Sequence, residues 1–122
     1  MARILIVDDE VDVLIFLARE LRDQDYEVET APSGEEAIEK IKANRPHLML
    51  LDINMPGMGG LETLKKAKEI DPHLAVVMVT AVAEEDIAKD AIKMGAYDYI
   101  QKPIDLDHLN LVVMTKIVDL TG

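Results

Sequence analysis

At 122 residues, 49% of them apolar, the chain suits one domain with a real hydrophobic core, built from aliphatic side chains because aromatics make up only 3%. Its 24 acids against 13 bases give a net charge of -11, which argues against direct binding to nucleic acid or an anionic membrane, both of which need a basic face. The lack of cysteine excludes a disulfide framework, a thiolate nucleophile and a zinc–thiolate site, and with no 18-residue apolar run and no signal peptide a soluble cytoplasmic domain is expected.

In chain order, Arg3 to Val7 is a β-branched-rich run ended by Asp8-Asp9-Glu10. From Val11 to Gln24 the pattern is helical, with Val13, Leu14, Leu17 and Leu21 on one stripe. Tyr26 to Ala31 alternates as a less buried strand. Ser33 and Glu36 fit a capping box that opens a second helix, with Ala37, Ile38 and Ile41 inward and an end before Pro46. Leu48 to Leu51 is a continuous apolar run, read as a fully buried central strand, and Asp52 closes it. The loop Asn54-Met55-Pro56-Gly57-Met58-Gly59-Gly60 follows, and then a third helix from about Leu61 to Ile70 with Leu64 and Ala67 inward. After Asp71-Pro72, Ala75 to Val79 is another buried strand, ended by Thr80. Glu84 to Met94 reads as a fourth helix with Gly95 as its left-handed cap. Tyr97 to Ile100 is a short fifth strand, Lys102-Pro103 a turn, and Asp105 the N-cap of a last helix through about Leu120. Five strands alternating with five helices predict a single α/β domain over residues 1–122, with parallel strands joined by right-handed crossovers.

Parallel strands bring their carboxyl ends to one edge, the edge where open α/β sheets bind ligands. Asp8, Asp9, Asp52, Thr80 and Lys102 all fall there. If the first and third strands are neighbours, three carboxylates converge in one crevice and need a cation, and an all-oxygen ligand set favours a hard one, Mg²⁺ by preference. Magnesium usually recruits a phosphoryl oxygen, so the site reads as a phosphoryl-handling centre with Lys102 as a mobile positive charge and Thr80 as a hydroxyl donor. There is no GxxxxGK[ST] loop to cradle a nucleotide. Asp52 is then the candidate nucleophile, forming an acyl phosphate.

Val7-Asp8-Asp9-Glu10, Leu51 to Gly60, Val79-Thr80-Ala81, Gly95-Ala96 and Lys102-Pro103, in that order, make the chain resemble the CheY-like receiver domain of bacterial two-component response regulators, over essentially its whole length. The resemblance implies a doubly wound flavodoxin-like sheet in the order 2-1-3-4-5. It implies that Asp52 takes a phosphoryl group from a phosphohistidine on a sensor histidine kinase. It implies Mg²⁺ ligation by Asp9, Asp52 and the Asn54 carbonyl, with Asp8 acting largely through water, and a cis peptide before Pro103 that aims Lys102 into the site. Tyr99, three residues before the lysine, resembles the family's switch aromatic, whose ring turns inward as Thr80 moves; the plainer alternative is a half-buried strand tyrosine. The fourth helix, fifth strand and fifth helix would form a face for a second copy, an output domain or another partner. Such a chain regulates by accepting a phosphoryl group and is not an enzyme acting on a separate substrate. Asn54 and Val82 would flank the path of the hydrolytic water, and Val82 offers it no hydrogen bond, so the acyl phosphate is expected to outlive that of a Val82→Glu or Val82→Gln variant.

Other residues carry less. Glu10 reads as a complement to the helix dipole, and Tyr97 as a packing residue. Val11 and Ile15 lie off the first helix's core stripe, either as a docking patch for a kinase helical bundle or as ordinary exposed apolar residues. His47, His73 and His108 are too scattered for a metal site, and the seven methionines read as aliphatic filler. Two rival functions stand beside the switch: a Mg²⁺-dependent phosphatase or phosphotransferase on a small substrate, and a phosphorylation-independent interaction module.

Overall fold

A computed structural model describes residues 1–122, the side chain of Val82 excepted. Five strands, β1 (Arg3–Val7), β2 (Glu27–Ala31), β3 (Leu48–Asp52), β4 (Ala75–Thr80) and β5 (Asp98–Gln101), alternate with α1 (Val11–Asp23), α2 (Gly34–Ala43), α3 (Gly60–Ile70), α4 (Glu85–Lys93) and α5 (Leu106–Thr121). The strands form one parallel sheet in the order β2-β1-β3-β4-β5, the order implied by the resemblance. Alternation along the strands splits the core in two. Leu5, Val7, Met49, Leu51, Val76 and Met78 pack against α2, α3 and α4. Ile4, Ile6, Leu48, Leu50, Val77 and Ile100 pack against α1 and α5. With both faces covered, β3 and β4 are buried along their whole length, whereas β2, at the edge, is only partly so.

Local chemistry sets the helix ends. Ser33 Oγ accepts from the Glu36 N–H at 3.2 Å, and the Asp105 carboxylate accepts from Asp107 and His108 at 3.0 and 3.3 Å. Gly95, at φ 108°, turns the chain out of α4 while the Gly95 and Ala96 N–H groups donate to Ile92 and Ala91, a Schellman arrangement. The end of α1 uses the same device without glycine. Asp25 takes φ 68°, and the Asp25 and Tyr26 N–H groups donate to Arg22 and Leu21. An aspartate there is among the side chains that tolerate the left-handed region, so no glycine signals the turn in the sequence.

Several boundaries shift by a residue from expectation, two of them beside the carboxyl edge of the sheet. Glu84, at φ -103° and ψ 15°, is the N-cap of α4 and the last residue of a 3₁₀ turn, Val82–Glu84, so the α-helix starts one residue later than expected. The Tyr97 N–H bonds to the Val76 carbonyl as the chain enters the sheet, so β5 runs Asp98–Gln101, one residue beyond the alternation.

Gly60 begins α3 directly against the exit of β3. A Cβ there would lie 2.6 Å from the Asp52 carbonyl oxygen and from Ile53 Cα, and 2.7 Å from the Ile53 oxygen, all of them backbone atoms that have no rotamer to yield. Gly60→Ala is therefore expected to lower stability by about 1–3 kcal/mol, as overpacking does, with Asp52 displaced along with its loop. Urea unfolding checks this, and an unchanged midpoint would show that the loop has slack.

Candidate phosphoryl-accepting site

The register of the parallel sheet puts the carboxyl ends of β1, β3 and β4 side by side: Val7 pairs with Leu51, and Asp52 with Val79. Asp8 and Asp52 are buried and Asp9 is exposed at the mouth, yet one carboxylate oxygen from each lies within 4.8 Å of the others. The Glu10 N–H donates to Asp8 Oδ1 at 2.9 Å, and the Asn54 N–H reaches Asp52 Oδ1 at 3.4 Å. Glu10 thus serves the site through its backbone, as the N-cap residue of α1.

Lys102 arrives from the far side. Its N–H donates to the Thr80 carbonyl at 2.7 Å, continuing the β4–β5 ladder, and its Nζ stands 3.7 Å from both Asp8 Oδ2 and Asp52 Oδ1. The Lys102–Pro103 peptide is cis. Thr80 is buried, with its hydroxyl donating to the Ala81 carbonyl at 2.9 Å. Tyr99 is half-buried and packs on the α2–α3–α4 side of the core, two residues before the strand position facing Thr80. The side chain of Val82 lies outside the described residues.

Electrostatics follow from the burial. The Asp52 carboxyl is pushed up to about 6, first by burial and then by the neighbouring Asp8 charge, with Lys102 and the Asn54 N–H pulling it back. Asp8 is raised as well, again chiefly by burial, with the Glu10 N–H and Lys102 opposing. Two acids driven toward protonation beside a third are short of positive charge. One lysine leaves that demand unmet, and the all-oxygen donor set fits a hard divalent ion such as Mg²⁺.

In front of Asp52 lies a cavity of about 120 Å³ walled by Asn54, Thr80, Ala81, Lys102, Glu10 and Glu84. Glu84 is the wall residue that sequence reasoning missed. It is the last residue of the 3₁₀ turn between β4 and α4, and nothing in the local sequence pattern marks that turn.

Fold and site together define a flavodoxin-like α/β domain with an acid-and-lysine pocket at the carboxyl edge of its sheet. The family model for the response regulator receiver domain matches residues 4–114, and the chain belongs to that family. It is 40% identical to regulatory protein AtoC of Escherichia coli (strain K12) over 91% of this chain and 24% of AtoC. It is 38% identical to chemotaxis protein CheY of Listeria monocytogenes over 89% of this chain and 92% of that protein. The crystallised receiver domain of NtrX from Brucella abortus superposes with a TM-score of 0.91 at 38% identity, covering 98% of this chain and 99% of the other. The chain spans about a quarter of the length of the first curated relatives it matches.

Proposed function

We infer that residues 1–122 form one receiver domain, acting in the cytoplasm, in which Asp52 accepts a phosphoryl group from a phosphohistidine of a sensor histidine kinase. The observation that carries this reading is Lys102 Nζ lying 3.7 Å from both Asp8 and Asp52, at the mouth of a cavity that a phosphoryl group would fill. An Asp52 oxygen attacks phosphorus, the P–O bond forms as the P–N bond to the donor imidazole breaks, and the imidazole leaves, taking a proton from solvent. Lys102 holds one equatorial oxygen of the transferring group, and the Thr80 hydroxyl turns from Ala81 to donate to another. Asp9, Asp52 and the Asn54 carbonyl, with Asp8 through water, would hold Mg²⁺, which when bound supplies positive charge to the crowded carboxylates and the phosphoryl oxygens. As Thr80 moves, Tyr99 follows inward, and the face of α4, β5 and α5 is repacked to receive a second copy, an output domain or another partner. Half-exposed Val11, Ile15 and Phe16 on α1 offer a surface on which the kinase's helical bundle would dock. The protein is a self-modifying switch and not an enzyme with a separate substrate.

The test is intact-mass analysis after incubation with Mg²⁺ and acetyl phosphate. A gain of roughly 80 Da, acid-stable and base-labile, in wild type and absent from Asp52→Asn is expected of an acyl phosphate. The same gain in the variant would defeat the assignment. A related expectation concerns lifetime. If position 82 flanks the path of the hydrolytic water, as the resemblance implies, Val82→Glu supplies a proton acceptor there and should shorten the life of the adduct by roughly ten- to a hundredfold. Decay of the 80 Da species followed over time checks it, and a native adduct that decays faster than the variant's would contradict it.

A further inference from the structure

The sheet has an open edge at β2, and its backbone directions are set by two contacts. The Glu27 N–H donates to the Ala2 carbonyl at 2.9 Å, and the Ala31 carbonyl accepts from the Asp8 N–H at 3.2 Å, so residues 27, 29 and 31 turn their amides toward β1. Alternation then turns the carbonyls and N–H groups of Val28 and Thr30 outward, where an incoming strand would bond to them. Both outward carbonyls are taken. From α1, on one face of the sheet, Arg22 Nη2 donates to the Val28 carbonyl at 3.0 Å. From α2, on the other face, Lys40 Nζ donates to the Thr30 carbonyl. Two long cationic side chains thus bracket the one strand edge on this side of the molecule, each from the last turn of its helix.

The geometry also identifies what would pair there. An antiparallel two-fold centred on Glu29 sets Val28 of one chain against Thr30 of the other, twice, using every outward group of both strands. The same two-fold sets Glu29 against Glu29, a like-charge pair that opposes docking. We propose that the β2 edge is a latent pairing surface for a second copy of this chain, and that Arg22 and Lys40, reinforced by Glu29, keep it closed. This assignment is independent of phosphorylation at Asp52.

The test uses a Glu29→Thr background, in which the like-charge pair is gone, and compares it with Glu29→Thr carrying Arg22→Met and Lys40→Met. The two methionines remove two positive charges from an already acidic chain, so general repulsion alone would reduce association. The proposal predicts the reverse: sedimentation showing an association constant at least about tenfold higher than in Glu29→Thr, together with slowed hydrogen exchange at the Val28 and Thr30 amides. Lys42→Met with Lys66→Met, both exposed and away from β2, is the charge-matched control and should not associate further. Urea unfolding confirms that each variant is folded; should the double replacement unfold, Arg22→Met and Lys40→Met made singly must each raise association. Unchanged sedimentation, association without protection at β2, or equal association in the control would overturn the proposal.

Discussion

An Asp52→Asn variant should carry no acyl phosphate and yet, without divalent metal, fold more tightly than the wild type. The carboxylate is buried beside Asp8, and its rise from 3.8 to about 6 corresponds to a penalty of about 3 kcal/mol on the ionised form in the folded state. Because the folded-state pKa lies above the unfolded one, the contribution of Asp52 to stability is fully present below about pH 4 and lost as pH rises through about 6. Asparagine keeps the shape and the acceptor for the Asn54 N–H but never ionises. In EDTA, urea unfolding should therefore show the variant ahead by about 3 kcal/mol at pH 7, with the gap closing toward pH 4. Adding Mg²⁺ should narrow the gap at pH 7, since the ion binds folded wild type and relieves the same repulsion. A variant no more stable than wild type at pH 7, or a gap indifferent to pH, would mean that Asp52 is not under the strain its surroundings imply.

Replacing Lys102 acts in the opposite sense. Among the described residues it is the cation paired with both Asp8 and Asp52, and its side chain is only 29% exposed. Lys102→Met should slow acetyl phosphate-driven gain of the 80 Da adduct by about 10²–10³-fold, the usual effect of removing one preorganised partner of transition-state charge. It also removes an influence that lowers the Asp52 pKa, so the pH at which phosphorylation reaches half its maximum should move upward. A merely structural lysine would reduce the amount of folded protein without moving that profile. Lys102→Arg should restore part of the rate, because the charge is kept while the reach and shape differ. Full activity in Lys102→Met would remove the lysine from the chemistry.

The contrast between these variants explains what could be read from the chain and what could not. Strands β3 and β4 are legible because a run such as Leu48 to Leu51 has no solvent-facing residue to interrupt it, which is the signature of a strand covered on both sides. Asp8, Asp52, Thr80 and Lys102 are legible as a set because parallel strands deliver their carboxyl ends to one edge whatever the loops do. The end of α1 is read to within a residue, but the left-handed turn at Asp25 just beyond it is not legible, since that backbone is held by the two Schellman bonds and marked by no glycine. Glu84 at the rim escapes for a similar reason: a 3₁₀ turn, Val82–Glu84, precedes α4, and no periodicity records it. Nor does the order of the residues reveal that the Thr80 hydroxyl rests on the Ala81 carbonyl. The edge caps Arg22 and Lys40 read locally as ordinary basic residues near helix ends. Only the register of β2 shows that each meets an outward strand carbonyl.

The measurement that bears most directly on the account is calorimetric titration of the metal-free wild type with MgCl₂ at pH 7, repeated on Asp9→Asn and Asp52→Asn. One ion bound per chain in the wild type, with affinity lost or sharply reduced in both variants, is the result expected if the gathered acids create the demand for a cation. No binding by the wild type, or equal binding by all three, would mean that the carboxylates meet without forming a metal site, and the phosphoryl-accepting role assigned to Asp52 would lose its basis.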